Sequence, residues 1–134
     1  MTAATRPDLS PRLLRAYRAT RYEACGIAIR IGRRCAAMDA LLARLGASCG
    51  GFVTAWNPRS RRLPDTVNRR RQARLEGCIR RLQYLPARAA LGRWHEALLL
   101  VAADHRVLAV AGRRFGQHAI VALRRNQPAR LVLL

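Results

Sequence analysis

The segment of residues 52–60 begins with mostly apolar residues and ends with polar side chains that could bind a ligand. Asn57 precedes Pro58, whose ring fixes the backbone of a turn, so Asn57 and Ser60 fall in a loop at the end of a predicted strand, residues 52–57. Such loops are common places for ligands. The same two side chains could instead bond only to the backbone of a tight turn.

The helix predicted over residues 65–82, with Asp65 as its cap, carries two polar residues among its core-facing positions. Its apolar stripe has a 3.6-residue spacing and consists of Leu75, Cys78, Ile79 and Leu82. Extended toward the N-terminus, the centre of the stripe falls between Asn68 and Arg71, and buried polar groups need partners. The pattern predicts one polar cluster with Asn57 and Ser60, and leaves two interpretations open: a structural network, or a pocket in which Arg71 binds an anion near the helix N-terminus.

Two further polar side chains could line the same pocket. Glu96 follows His95 in a predicted turn, where either group could act as a general base. Gln117 follows the end of a predicted helix and could bond the backbone or face the pocket. No nucleophile with its base and no phosphate-binding glycine loop is recognisable, so catalytic residues are not assigned. The pocket candidates are Asn57, Ser60, Asn68, Arg71, Glu96 and Gln117.

The opposite face of the 65–82 helix is basic. The chain of 134 residues has 26 basic residues, all arginine, against seven acidic ones, a net charge of +19. A GC-rich genome would replace lysine by arginine, but the excess over acidic residues attracts polyanions whatever its origin. The density of arginine residues on one helix favours contact with a phosphate backbone. The candidate residues are Arg69, Arg70, Arg74, Arg80 and Arg81.

Cysteine usage predicts buried free thiols rather than a metal site or disulfides. Cys25, Cys35, Cys49 and Cys78 include no close pair and no histidine at ligand spacing. We therefore expect no metal, no cofactor and no disulfide, and we expect Cys78 to be buried on its helix stripe. No segment approaches the ~20 apolar residues of a membrane span. These features favour a cytoplasmic protein that does not contact membranes.

The order of predicted elements indicates one α+β domain over residues 1–134, with residues 1–9 disordered. Residues 52–123 read as strand, helix, strand, strand, helix, strand, the split β-α-β-β-α-β order of a ferredoxin-like core. An N-terminal helix, a strand over residues 22–31 and a second helix precede this core. A C-terminal strand follows it as the second half of a hairpin.

The segment Thr54-Ala55-Trp56-Asn57-Pro58 with Ser60, together with Asn68, Arg71 and the turn Arg114-Phe115-Gly116-Gln117, resembles one bacterial family of uncharacterised proteins. That family is the domain of unknown function 3293, and the resemblance covers roughly residues 20–134. The family pattern has Glu-Pro-Ser entering the apolar strand, whereas only Glu96 matches here. The resemblance implies a fold and no reaction.

Three functions are compatible with the sequence. The leading one is non-specific binding of a polyanion, chiefly the nucleic acid backbone, through the arginine-rich helix face. The second is a small-molecule or anionic-ligand domain, or an enzyme, with a polar pocket around Asn57, Asn68 and Arg71. The third is a protein-interaction module for an acidic partner.

Overall fold

The computed structural model describes residues 9–134, which form four α-helices and seven β-strands. The helices are α1 (Pro11–Ala19), α2 (Ala36–Arg44), α3 (Asp65–Ile79) and α4 (His105–Arg114). The strands are β1 (Arg21–Ala24), β2 (Ile27–Ile29), β3 (Cys49–Val53), β4 (Gln83–Leu91), β5 (Trp94–Ala102), β6 (Ala119–Arg124) and β7 (Arg130–Leu133). A 3₁₀ turn, Pro58–Ser60, lies between β3 and α3.

All seven strands belong to one antiparallel sheet with the order β2-β1-β4-β5-β3-β6-β7. The sheet curls until its two ends touch, because Gly32 N–H donates to Ala129 O at 2.7 Å and Ala129 N–H donates to Arg33 O at 2.9 Å. The fold is therefore a mixed α+β domain built on a curled sheet, as the α+β class predicted.

Close approach of β6 and α4 to β3 depends on glycine in β3. A Cβ atom added to Gly51 would lie 2.6 Å from the backbone oxygen of Val121 and 3.0 Å from Leu108 Cδ1. A backbone atom held in a sheet cannot move aside, so only glycine allows β6 and α4 to approach β3 this closely.

The helices divide between the two faces of the sheet. On the outer face, α3 and α4 bury Leu75, Ile79 and Leu108 against the sheet. The inner face holds α2, whose Met38 and Leu42 share a core cluster with side chains from both ends of the sheet. That convergence identifies it as the inside of the curl. Helix α1 lies at the other end of the same face. Its N-cap residue is Ser10, whose hydroxyl oxygen accepts a hydrogen bond from Leu13 N–H at 3.2 Å.

The prediction of a single strand over residues 22–31 is wrong. The structure divides it into β1 and β2, with Cys25 at φ 51° and Gly26 at φ 75° in a two-residue turn. Positive φ at both positions suits a tight hairpin, but Cys-Gly is a weak turn signal. The N-terminal part is therefore helix, strand, strand, helix.

Boundaries around the loop after β3 also differ from those predicted. β3 covers Cys49–Val53 rather than residues 52–57, and α3 ends at Ile79 rather than residue 82. Pro64 occupies the N-cap position, and Asp65 is the first helical residue. By contrast, Asp104 caps α4 with its side chain, accepting from Arg106 N–H at 2.8 Å.

The prediction of buried thiols is wrong for Cys25 and Cys78, whose side chains are exposed, and Cys35 and Cys49 are only half-buried. Cys78 precedes Ile79 by one residue, which places it about 100° around the helix from the buried position. The four cysteines, all within residues 9–134, are free thiols. Of the range expected to be disordered, residues 1–8 lie outside the described residues, and Leu9 is buried. None of the helices in residues 9–134 has the length and apolar composition of a membrane span.

Candidate ligand cavity

The chain leaves β3 through a strained loop. Asn57 has φ 44° and ψ 61°, Arg59 has φ 55°, and Ser60 has φ 59°. Non-glycine residues in this left-handed region cost of order 1 kcal/mol or more each, although asparagine tolerates it better than most. Such a loop persists only where neighbouring groups hold it.

Asn68 of α3 holds the loop from one side. Its Oδ1 accepts from Asn57 N–H at 2.9 Å, and its Nδ2 donates to Asn57 Oδ1 at 2.8 Å and to Leu63 O at 3.2 Å. Asn57 Oδ1 also accepts from Leu63 N–H at 2.9 Å. Asn68 is 1% exposed, so these bonds are shielded from water and fix both ends of the loop.

The turn after α4 holds the loop from the other side. Arg59 N–H donates to Gly116 O at 2.8 Å, and Gln117 Nε2 donates to Trp56 O at 3.0 Å. Gly116 has φ 70°, and a Cβ atom there would lie 3.0 Å from Pro58 Cβ. The two motif segments of the sequence are thus in direct contact.

Arg71 joins the same two segments instead of facing a pocket. Its Nε donates to Ala55 O at 2.8 Å and its Nη2 to Phe115 O at 2.6 Å. Its Cζ lies 5.9 Å from the centroid of the Phe115 ring. The anion-binding role considered for Arg71 therefore does not fit its position, because Nε and Nη2 are engaged by carbonyls and its side chain does not line the cavity described next. It forms no hydrogen bond with Asn57 or Ser60, the side chains expected to be its partners.

A cavity of about 680 Å³ lies between the inner face of the sheet, α1 and this loop, a size typical of small-molecule sites. Of the pocket candidates, the structure brings five to this cavity and leaves out Arg71. The five are Asn57, Ser60, Asn68, Glu96 and Gln117. Five of the seven aromatic residues of the chain also line it: Tyr17, Tyr22, Phe52, Trp56 and Trp94.

Glu96 is a buried acidic side chain in the cavity wall, and it lies within β5 rather than in the predicted turn. It pairs with Ala89 across β5 and β4, and Ala89 pairs with Tyr22 of β1, so these three share the inner face of the sheet. Its side chain is buried, and no hydrogen bond or ion pair to another residue of 9–134 reaches its carboxylate. Burial raises the pKa of Glu96 to about 7. The carboxyl group can therefore exist in either protonation state near neutral pH.

Neighbouring phenols respond to the same environment. Burial raises the pKa of Tyr17 to about 12, and the charge of Glu96 adds to the effect. Burial also raises the pKa of Tyr22, with smaller contributions from Tyr17 and Glu96. Both phenols stay protonated at neutral pH, and the O–H of Tyr22 donates to Tyr17 O at 3.4 Å.

The rim of the cavity carries charge. Arg62, on the strained loop, and Arg93, in the turn between β4 and β5, are exposed and line it, as does the single acid Asp65. Within the wall, Trp56 Nε1 is buried and has no hydrogen-bond partner in the described part of the chain. No group of three or more His, Cys, Asp or Glu side chains in residues 9–134 is arranged to hold a metal ion.

The segment that builds the loop and the floor of the cavity matches a known family. Residues 53–120 match the family described as Protein of unknown function (DUF3293). The chain belongs to the DUF3293 family. No curated protein and no solved structure was found to be similar to it.

In this DUF3293 chain, the arginine-rich face lies away from the cavity. At 100° per residue, Arg69, Arg70 and Arg74 fall within about 140° of one another, opposite Leu75 and Ile79. The face comprises exposed side chains at Arg69, Arg70, Arg74, Arg80 and Arg81.

Sequence reasoning missed several cavity residues. Tyr17 and Tyr22 come from α1 and β1, which lie outside residues 53–120, and they reach the cavity of Glu96 through the position of α1 and the pairing of β1 with β4. Trp94 is 43% exposed, and this exposure of a large aromatic residue is visible only in the structure. Clustering of nearly all aromatics around one acid has no signature in local periodicity.

Proposed function

We propose that this protein binds a small molecule in the 680 Å³ cavity and that Glu96 recognises the ligand or exchanges a proton with it. The observation that supports this most is the buried, unpartnered carboxyl group of Glu96 within aromatic walls. A buried carboxyl group without a partner opposes folding, whereas a ligand that supplies hydrogen-bond donors would satisfy it. Perturbed acids inside clefts are typical of functional sites.

The strained loop supports the same proposal. Left-handed residues at Asn57, Arg59 and Ser60 cost stability, and strain of this kind clusters at ligand sites. The network around Asn68 fixes the loop so that Trp56 and Ser60 face the cavity. The scaffold is therefore preorganised on the side where a ligand would enter.

Both tryptophans of the chain line the cavity, so intrinsic fluorescence reports its occupancy. We expect members of a library of small metabolites to quench this fluorescence and raise the melting temperature. Ala16→Phe, which fills the cavity from α1, should abolish the response, and Glu96→Gln should weaken it. Val110→Ala, at an exposed site on α4, is the control. Binding that is unchanged in Ala16→Phe, or no response to any compound, would refute the proposal.

A second function, polyanion binding through the α3 arginine face, is supported by a separate observation. The side chains of Arg69, Arg70, Arg74, Arg80 and Arg81 are exposed, and none forms an ion pair or side-chain hydrogen bond with another residue of 9–134. Unpaired guanidinium groups on one face are free to contact phosphates, and the net charge of +19 favours encounter with a polyanion.

This second function predicts DNA or RNA binding with little sequence preference and a steep loss of affinity as salt increases. Reversing the charge of Arg69, Arg70, Arg80 and Arg81 should remove most binding in an anisotropy titration. The matched control reverses four exposed arginines elsewhere: Arg12, Arg15, Arg44 and Arg113. Equal loss in both variants would show that net charge, not the α3 face, is responsible. Binding to an acidic protein but not to nucleic acid would favour the interaction-module hypothesis instead.

We also propose that the four central strands with α3 and α4 form a ferredoxin-like core. The neighbour order β4-β5-β3-β6, entirely antiparallel, and the placement of both helices on the outer face support this assignment. A solved structure of the chain, compared with ferredoxin-like domains, tests it. A cytoplasmic location, the compartment in which thiols such as Cys25 and Cys78 stay reduced, is proposed on the same footing.

A further inference from the structure

We propose that the ligand of the cavity is a nucleotide whose planar base carries two adjacent N–H donors. The base lies among the aromatic side chains with its donor edge on Glu96, and the phosphate lies at the rim on Arg62 and Arg93. This inference rests on the proposed small-molecule function and names the chemical class of its ligand.

The floor of the cavity calls for hydrogen-bond donors. An ionised carboxylate only accepts hydrogen bonds, and Glu96 receives none from the described residues. Its two oxygens can accept two parallel N–H bonds, the bidentate geometry that gives charge-assisted bonds their strength and specificity. The guanine edge, with N1–H beside an exocyclic amino group, supplies this pair. The adenine edge has only one donor beside an acceptor.

The walls of the cavity favour a planar ring. Tyr17 of α1, Trp56 of the loop and Trp94 of the β4–β5 hairpin line it from three different elements. At its inner end, the rings of Tyr22 and Phe52 lie 5.6 Å apart and are tilted by 33°. Aromatic side chains bind bases by stacking, and every base offers a flat face for this contact.

The rim of the cavity favours an anion. Arg62 and Arg93 are exposed there, against the single acid Asp65, and arginine binds phosphate through paired N–H donors. The positive field of the whole chain would draw an anionic ligand toward the cavity and oppose a cationic amine, the other group that a buried carboxylate could bind. A nucleotide with its base at Glu96 and its phosphate at the rim would give the carboxylate its hydrogen-bond donors and the arginines an anion.

Binding should depend on pH, because the ionised form of Glu96 is the acceptor. The groups that face Glu96 from surrounding elements are Tyr17 and Tyr22, both protonated at neutral pH, with Arg62, Asp65 and Arg93 at the rim. His95 also lines the cavity. Only the part of the pH dependence that disappears in Glu96→Gln belongs to Glu96.

The experiment titrates the full chain with guanosine monophosphate at a pH of about 8, using tryptophan fluorescence and calorimetry. We expect about tenfold weaker binding of adenosine monophosphate, which lacks the donor pair, and of guanosine, which lacks the phosphate. Inosine monophosphate, with one donor, should fall between them. These comparisons need no variant, so they remain decisive even where a substitution impairs folding. Equal affinity for guanine and adenine nucleotides would overturn the inference.

Variants assign each end of the ligand. Glu96→Gln should weaken guanosine monophosphate about tenfold and remove its preference over the adenine nucleotide. Arg93→Ala should weaken the nucleotide while leaving guanosine unchanged, with Arg113→Ala, at an exposed site on α4, as the matched control. An unchanged preference in Glu96→Gln would show that another group reads the base.

Two further experiments are needed. One distinguishes a free nucleotide from the end of a nucleic acid chain, and the other distinguishes the nucleotide assignment from the general small-molecule proposal. Oligonucleotides ending in a phosphorylated guanosine should compete with the free nucleotide if the cavity takes chain ends, whereas no competition identifies the free nucleotide as ligand. Library compounds that bind the wild type but not Ala16→Phe, while guanosine monophosphate does not bind, would overturn only the nucleotide assignment. Nucleotide binding that persists in Ala16→Phe would overturn it as well. Absence of any cavity ligand would refute both proposals.

Discussion

Replacing Asn68 by leucine tests whether the amide pair of Asn57 and Asn68 holds the strained loop. Leucine is close to asparagine in size, so the substitution removes hydrogen bonds without opening a large cavity. Three bonds are lost: one from Asn57 N–H, and two from Asn68 Nδ2 to Asn57 Oδ1 and Leu63 O. Asn57 Oδ1 keeps Leu63 N–H, so Asn57 N–H and Leu63 O are the groups left without a partner.

The expected loss follows from those two groups. Each shielded polar group without a partner costs about 1–3 kcal/mol, so Asn68→Leu should lower the free energy of unfolding by about 3 kcal/mol. For a domain of this size, that corresponds to a melting temperature lower by about 10 °C. Asn68→Asp keeps the acceptor for Asn57 N–H but removes both donors and buries a charge, so it should be at least as destabilising at neutral pH.

Thermal and urea unfolding followed by circular dichroism measure this effect. Arg69→Ala changes the next residue on the exposed face of α3, and should alter the stability by no more than about 0.5 kcal/mol. A loss below 1 kcal/mol in Asn68→Leu would mean that the loop at residues 57–60 does not need the amide pair.

The remaining predictions concern Glu96, Gly51 and Arg71. The pKa of Glu96 rises from 4.5 to about 7 on folding, so the folded state binds this proton more tightly than the unfolded state does. Protonation of Glu96 therefore stabilises the fold fully below pH 4.5, and this stabilisation is lost as pH rises through about 7. This change, of order 3 kcal/mol, should be absent from the pH–stability profile of Glu96→Gln. Gly51→Ala should lower the free energy of unfolding by about 2 kcal/mol, because the added Cβ would clash with Val121 O. Gly77→Ala should stabilise α3 slightly, because nothing lies within 4 Å of the added Cβ. Equal effects of the two substitutions in urea melts would contradict the packing argument. Arg71→Met should cost more than about 1 kcal/mol, because Ala55 O and Phe115 O lose their donor, but should leave cavity ligands bound; loss of ligand at unchanged stability would reassign Arg71 to the site.

Periodicity within one helix predicted the position of Asn68 but not the partner of Arg71. A 3.6-residue repeat places a residue on a face, so the apolar stripe of α3 correctly pointed Asn68 toward the sheet. It also included Cys78, which lies at the edge of that stripe and is exposed. Arg71 reaches carbonyls at residues 55 and 115, and the second of these contacts spans 44 positions. Side-chain reach across such separations has no local pattern.

The cavity itself depends on how the sheet closes. Backbone bonds between residues 32–33 and Ala129 join the two ends of the sheet and complete its curl. That curl, with α1 across its other end, turns one sheet face into a cavity lined by Tyr17, Tyr22 and Glu96. Strand alternation predicts which residues share a face, but it contains no information about how strongly a sheet curls.

Hydrogen-bond accounting separates the residues that build the cavity from those that can recognise a ligand. Both donors of Asn68 Nδ2 are engaged, as is Gln117 Nε2, which donates to Trp56 O and Phe115 O. The polar side chains of the loop segment and of the turn after α4 therefore serve mainly to fix a strained loop. Glu96, whose carboxylate receives no hydrogen bond from residues 9–134, is the buried lining group left to bind a ligand, whereas the equally unpartnered Trp56 Nε1 is enclosed within the wall. The nucleotide proposed for the cavity would supply the donor pair of its guanine edge to this acceptor.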